Sequence, residues 1–254
     1  KYDFFYDNCS TRIRDALEKV LGEELTYPEM ENDTTATFRE MIDLYLGPHP
    51  WSDLGIDLAL GLPCDKKADY REKMFLPDYL MANLGMAEIG TGDAKRFLVE
   101  SEGLVLKQNP NLDLADKGGI TWIFWTIFIF SLVTSILIPA PTLRWFDLTV
   151  FTATGLLSLM ILFLWFGTDH SATKWNLNLL WALPTWLYAA WMIAGVKLKL
   201  RFFKFHAFWM FFIMVFWVLL PQQFHPATVP IILTLAARSW AWQKYVRFLS
   251  LQVS

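Results

Sequence analysis

The chain has 254 residues, 54% of them hydrophobic, 17% aromatic and 19% charged, against about 25% charged in an ordinary soluble domain. The formal net charge of −3 hides a split: residues 1–118 hold 13 Lys+Arg and 23 Asp+Glu, a net of −10, while residues 119–254 hold 9 and 2, a net of +7. That pattern excludes a disordered chain, a collagen, a small disulfide scaffold and a single soluble globule, and no nucleic-acid partner is expected, because the water-soluble part is acidic and phosphate contacts need Lys and Arg.

Lys1 to Tyr6 is aromatic and extended in character. It opens without Met or signal peptide, which predicts further chain upstream. Ser10 to Leu21 reads as an amphipathic helix: Ile13, Ala16, Leu17, Val20 and Leu21 recur at helical spacing, Gly22 is a stop, and Asp7, Asn8 and Ser10 are caps in waiting. A second helix is predicted over about Thr35 to Leu46. Residues 47–65, with three Pro and three Gly, read as loop. A third helix is predicted over 69–86, interrupted by Pro77, and short strands over 96–108.

No Asp, Glu, Lys or Arg occurs in 118–143, 148–168, 175–196 or 205–237. A membrane-crossing helix needs about 20 mostly apolar residues. These runs predict five spans near 119–138, 147–167, 175–195, 203–220 and 227–246, the last weakened by Arg238. The expected organisation is therefore an α+β domain over 1–118 followed by an all-α membrane domain over 119–254. With residues 1–118 outside, the inner segments carry Arg144, Lys197, Lys199, Arg201, Lys204, Lys244 and Arg247, while the outer loops carry only Lys174. That bias places the acidic domain on the extracytoplasmic side. Twelve of the 13 Trp lie beyond residue 118, several of them near span ends, as in an interfacial belt.

The residue able to carry chemistry is Cys9, in the run Asp7-Asn8-Cys9-Ser10-Thr11. A thiol at a helix N-terminus feels the positive end of the helix dipole and unpaired N–H groups, which favour the thiolate and can hold an oxyanion. Three states stay open on the residues alone: a nucleophile, an inert buried thiol, and a disulfide with Cys64, the other cysteine. Candidate bases are His49, His170 and His225, with Asp169 placed to orient His170, and no spacing specifies a dyad. Four His and two Cys give no CxxC or HExxH pattern, so no metal or other cofactor is expected.

The run Tyr2-Asp3-Phe4-Phe5-Tyr6-Asp7-Asn8-Cys9-Ser10-Thr11-Arg12-Ile13-Arg14-Asp15 resembles the signature of the Lnb family of Bacteroidota, membrane proteins with a periplasmic thiol domain associated with lipoprotein N-acylation. Trp51 through Leu62, Met74 through Leu80, and Asp169-His170 followed by Asn176 through Trp181 resemble later blocks of that family. The resemblance implies a permuted papain-like thiol domain, distantly related to NlpC/P60 peptidases and lecithin-retinol-acyltransferase-like enzymes, with Asn8-Cys9 at the nucleophile position. In such folds the His comes from strands upstream of the Cys. None precedes Cys9 here, so either the domain is N-terminally truncated, which is the favoured expectation because 1–118 cannot complete a papain-like sheet, or an outer loop supplies the base.

On that resemblance the expected protein is a multi-pass enzyme of the bacterial inner membrane, with residues 1–118 periplasmic. It would move a fatty acyl group from a phospholipid to the N-terminal amine of a lipoprotein through a Cys9 thioester. His170 and Asp169 would act as base and orienter, and Asn8, Asn176 and Asn178 would bind substrate. The competing expectations are a cell-wall peptidase or amidase, and a non-enzymatic scaffold with a Cys9–Cys64 disulfide.

Overall fold

The computed structural model describes residues 2–27, 36–103, 119–195 and 197–253. They divide into two compact units that interleave along the chain. One takes in 1–48, 63–114 and 170–172 and holds both cysteines; the other takes in 49–62, 115–169 and 173–254. They are called here the thiol unit and the helical unit.

The thiol unit begins with α1 (Cys9–Leu21) and α2 (Phe38–Leu46); the chain passes through the helical unit as α3 (Pro50–Ala59) and returns as α4 (Tyr70–Lys73) and α5 (Pro77–Met86). Three of these helices start on reciprocal capping boxes: Asn8 with Thr11, Thr37 with Glu40, and Asp69 with Glu72. In each, one side chain takes an N–H of the first turn while the other returns to the cap's own N–H. Gly22 ends α1 at φ +58°, where a Cβ is disfavoured.

The predicted helix over 69–86 is two helices, because Pro77 opens α5 at its first turn and cannot continue α4. Strands β1 (Leu25–Thr26), β2 (Glu88–Ile89) and β3 (Arg96–Phe97) form a small antiparallel sheet in that order, with Leu25 opposite Ile89 and Glu88 opposite Phe97. Of the strands expected over 96–108, residues 96–97 pair and residues 104–108 lie outside the described residues. Phe5, Phe38 and Phe75 meet at ring-centroid distances of 4.4 to 5.3 Å and form the centre of the core.

The helical unit contains α3, then α6 (Thr121–Leu137), α7 (Arg144–Phe166), α8 (Thr185–Ala194), α9 (Leu200–Val215) and α10 (Thr228–Val253). Helix α3 corrects the loop expected over 47–65. Pro50 stands in its first turn, where the missing N–H costs nothing, and Leu54 and Asp57 are buried.

The helix from Ala140 to Phe166 is long and apolar enough to cross a membrane, and the pair Ser171–Leu180 plus Thr185–Ala194, bent by 47°, passes the same test together. Thr121–Leu137 is apolar but shorter. The third expected span is thus broken. Asn176 caps a short 3-10 turn over Leu177–Leu180, and Pro184 starts α8 on a new axis.

Helix α6 packs on α10, α9 on α10 and α7 on α8. At Gly155 a Cβ would lie 2.5 Å from Leu187, so glycine is what lets α7 and α8 approach. Trp122, Phe130, Phe163, Phe166, Phe208 and Phe211 are exposed, as lipid-facing side chains are.

Arg238, which weakens the last expected span, is fully buried. It makes a two-pronged ion pair with Asp147 at 2.6 and 2.8 Å, Ser135 accepts a third bond at 3.0 Å, and Trp242 donates to Asp147 at 2.7 Å. One charge pair therefore ties α6, α7 and α10 together, with the hydrogen bonds that a buried pair needs.

Candidate functional site

Cys9 is the first residue of α1, and its side chain is exposed. No disulfide joins it to Cys64, which is buried and donates from Sγ to the carbonyl of Ala172 at 3.2 Å. The disulfide of the competing scaffold expectation is thereby corrected: the exposed cysteine is a thiol, and the other is a core residue. The N–H groups of Cys9 and Ser10 have no acceptor among the described residues, because they belong to the first turn, where a helix leaves its donors open. A thiol, two open N–H groups and the positive end of a 13-residue helix therefore lie together.

The segment before Cys9 is fixed from several directions. Asp3 and Asp7 exchange backbone bonds at 2.9 and 3.1 Å, and the Asp3 carboxylate accepts the N–H groups of Phe5 and Tyr6. Phe5 thereby points into the aromatic core while Phe4 and Tyr6 stay partly exposed. Arg12 reaches back to Asp7 with two bonds at 2.6 and 2.9 Å and holds that carboxyl below the usual range. Burial pushes the Tyr6 hydroxyl up, against the pull of nearby Lys66.

Asn8 was expected to bind substrate. Its Oδ1 accepts from Thr11 N–H at 2.9 Å, and its Nδ2 donates to the carbonyls of Phe4 and Phe75 at 2.9 and 2.8 Å. Both amide protons are committed, so Asn8 positions Cys9 by anchoring the start of α1 to the core.

Residues 170–172 are counted with the thiol unit although they follow α7. Ser171 Oγ donates to the Asp3 carboxylate at 2.6 Å, and Ala172 accepts from Cys64. His170, exposed and adjacent to Ser171, is thus carried by a loop fastened to the turn that leads into Cys9. Asp169 is exposed beside it in the chain.

The other imidazoles are placed differently. His49 is exposed at the start of α3, in the helical unit. His206 is buried between the Thr185 hydroxyl and the Phe202 carbonyl, at 2.8 and 2.9 Å. His225 is buried, accepts the Ala227 N–H on Nδ1 at 3.0 Å, and faces Asp53 through Nε2 at 3.6 Å. An Nδ1 that accepts is unprotonated, so the ring proton lies on Nε2, toward the carboxylate.

Asn176 and Asn178, the other residues expected to bind substrate, are also buried. Asn176 donates to the carbonyls of Leu58 and Ala59 at 2.9 and 3.1 Å and accepts from the Asn178 N–H. Asn178 accepts from Trp181 Nε1 at 3.0 Å, and Gln222 joins by accepting the Leu177 N–H at 2.7 Å. These amides hold the C-terminal end of α3 within the helical unit. Sequence reasoning missed this layer, and with it Asp53, Asp57 and Gln222. The available signal was the i, i+4 pair Asp53 and Asp57, which falls on one face once 50–59 is a helix.

The chain matches the family model described as the Lnb transmembrane domain over residues 119–247, more than half of its length. It belongs to the Lnb family. No curated protein and no solved structure matches the chain. The Lnb domain covers α6 to α10 apart from the last residues, so the Asp147–Arg238 pair lies within a membrane domain.

Between α6, α7 and α10 of this Lnb protein lies a cavity of about 230 Å³, walled by Phe124, Ile127, Val150, Leu157, Trp181 and Ile231. Its two threonines, Thr154 and Thr234, bond back to their own helices at 2.9 and 2.8 Å, so hydrocarbon faces the space.

Proposed function

We propose that this Lnb protein is a thiol acyltransferase that moves a fatty acyl group from a phospholipid to the N-terminal amine of a lipoprotein. The observation that carries the reading is the exposed Cys9 thiol at the first position of α1, beside two open N–H groups. In the first step the base takes the Cys9 proton and the thiolate attacks the ester carbonyl of the phospholipid. The oxyanion is held by the N–H groups of Cys9 and Ser10. The C–O bond then breaks, the lysophospholipid alkoxide leaves with a proton from the base, and a thioester remains on Cys9. In the second step the lipoprotein amine attacks the thioester and gives its proton to the base. The C–S bond breaks, the amide is released and the thiolate is restored.

His170 is the base and Asp169 its orienter, supported by the exposed imidazole's place in the thiol unit and by the Ser171–Asp3 bond. The apolar cavity between α6, α7 and α10 offers acyl chains a place within the helical unit. Anchoring both substrates in one bilayer raises their effective concentration. The thiol unit is read as the Cys-bearing part of a papain-like fold on the periplasmic side of the inner membrane. Support comes from the N-terminal helix cysteine, the antiparallel sheet and the basic bias of one end of the membrane domain.

The test is Cys9→Ser in the full protein, supplied with phospholipid vesicles and a diacylated lipoprotein, and read by mass spectrometry of the acceptor's N-terminal peptide. Loss of N-acylation is expected. Undiminished acylation by the variant overturns the reading.

A further inference from the structure

At the end of the helical unit remote from α3, a second cavity of about 350 Å³ opens between the last turn of α6, the connector after it, and α10. Its walls include Ile138, Pro139, Ala241, Tyr245 and Phe248, with Lys244 on the rim. The Lys244 ammonium donates to the Ile136 carbonyl at 3.3 Å and lies 5.4 Å from the Trp240 ring. Two of its three protons have no acceptor among the described residues. Arg247, one turn further along α10, is exposed.

This end is cationic throughout. Arg144, Lys197 and Lys199 lie over Trp145, Trp191 and Tyr188 at 5.4 to 6.0 Å. The bond from Arg144 to the Ala194 carbonyl at 2.6 Å brings the end of α8 to the start of α7. Carboxylates to match are missing among the described residues. Residues 119–254 contain only Asp147, bound to Arg238, and Asp169, in the loop after the far end of α7. Within the helical unit, Asp53 faces His225, before the start of α10, and the Asp57 carbonyl meets Asn178, also at the opposite end from Lys244.

We infer that this cavity binds an anionic phospholipid, with the phosphate on Lys244 and Arg247 and an acyl chain along Ala241, Tyr245 and Phe248. The charge that the chain does not supply is then supplied by lipid. The cation–aromatic pairs hold the neighbouring cations at headgroup level. The inference does not depend on the acyl-transfer reading.

The test uses the full protein in detergent. Phosphatidylglycerol, phosphatidylcholine with the same acyl chains, and inorganic phosphate are titrated separately, and binding is followed by native mass spectrometry and melting temperature. Saturable binding and stabilisation by phosphatidylglycerol are expected, with little effect of the other two. Lys244→Gln and Arg247→Gln should each weaken that binding about fivefold, the factor that one lost cation at a membrane surface corresponds to, while Lys244→Arg retains it. Because Arg247 is exposed, its variant tests the site even if Lys244→Gln fails to fold. Equal binding of the two lipids, an unchanged affinity in Arg247→Gln, or full stabilisation by phosphate alone would overturn the inference.

Discussion

Replacing Asn8 by Ala separates the structure that presents Cys9 from the chemistry proposed for it. The substitution removes the acceptor that caps α1 through the Thr11 N–H, and the two donors that bind the Phe4 and Phe75 carbonyls. Losing such a cap costs about 1 kcal/mol. Each lost hydrogen bond adds about 1 kcal/mol, because a carbonyl is left without its partner. The sum is about 3 kcal/mol, which lowers the melting temperature of a unit this size by on the order of 10 °C. Asn8→Ser keeps a capping oxygen and loses only the donors, so about 2 kcal/mol is expected for it. Cys64 provides the readout. It is fully buried while Cys9 is exposed, so in a Cys9→Ser background a thiol-reactive fluorophore reports unfolding of the thiol unit. A melting temperature for Asn8→Ala within roughly 2 °C of the parent would refute the anchoring role.

Two further outcomes follow from the polar groups. Asp147→Leu leaves the Arg238 guanidinium buried and unpaired and should cost about 3–5 kcal/mol. The double variant Asp147→Leu/Arg238→Met should recover much of that loss in the same melting assay, and equal losses in single and double variants would contradict a coupled pair. Tyr27 has its hydroxyl pushed up to about 12, first by burial and then by Glu18. Its folded pKa therefore exceeds the ordinary value of 10.0, and the unfolded chain loses its proton first as pH rises. Stability should fall between about pH 10 and 12, and Tyr27→Phe should flatten that part of the melting profile.

The start of α1 was legible because it depends on neighbours in sequence: Asp7-Asn8-Cys9-Ser10-Thr11 offers caps, and Ile13 to Leu21 has helical periodicity. The apolar helices were legible from charge-free runs. What failed to show depends on partners far along the chain. Pro48, Pro50 and Gly55 weighed toward loop, yet Pro50 sits where a helix tolerates it, and Leu54 and Asp57 are buried only once α6, α10 and the 176–178 turn surround them.

With α3 unseen, Asn176 and Asn178 had no visible partners and read as ligand-binding amides. Hydropathy could not register the break before α8, because Pro184 interrupts hydrogen bonding without lowering apolarity. Arg238 looked like a flaw in the last span because its partner, Asp147, is 91 residues away at the margin of another run.

The acyl thioester proposed for Cys9 can be weighed directly. The full protein is incubated with phospholipid vesicles and no acceptor, and the peptide bearing Cys9 is then weighed by mass spectrometry before and after neutral hydroxylamine. An added fatty acyl mass on Cys9 that hydroxylamine removes and that is absent from Cys9→Ser is expected. An unmodified Cys9 peptide under conditions where a lipoprotein is N-acylated by the same preparation would contradict it.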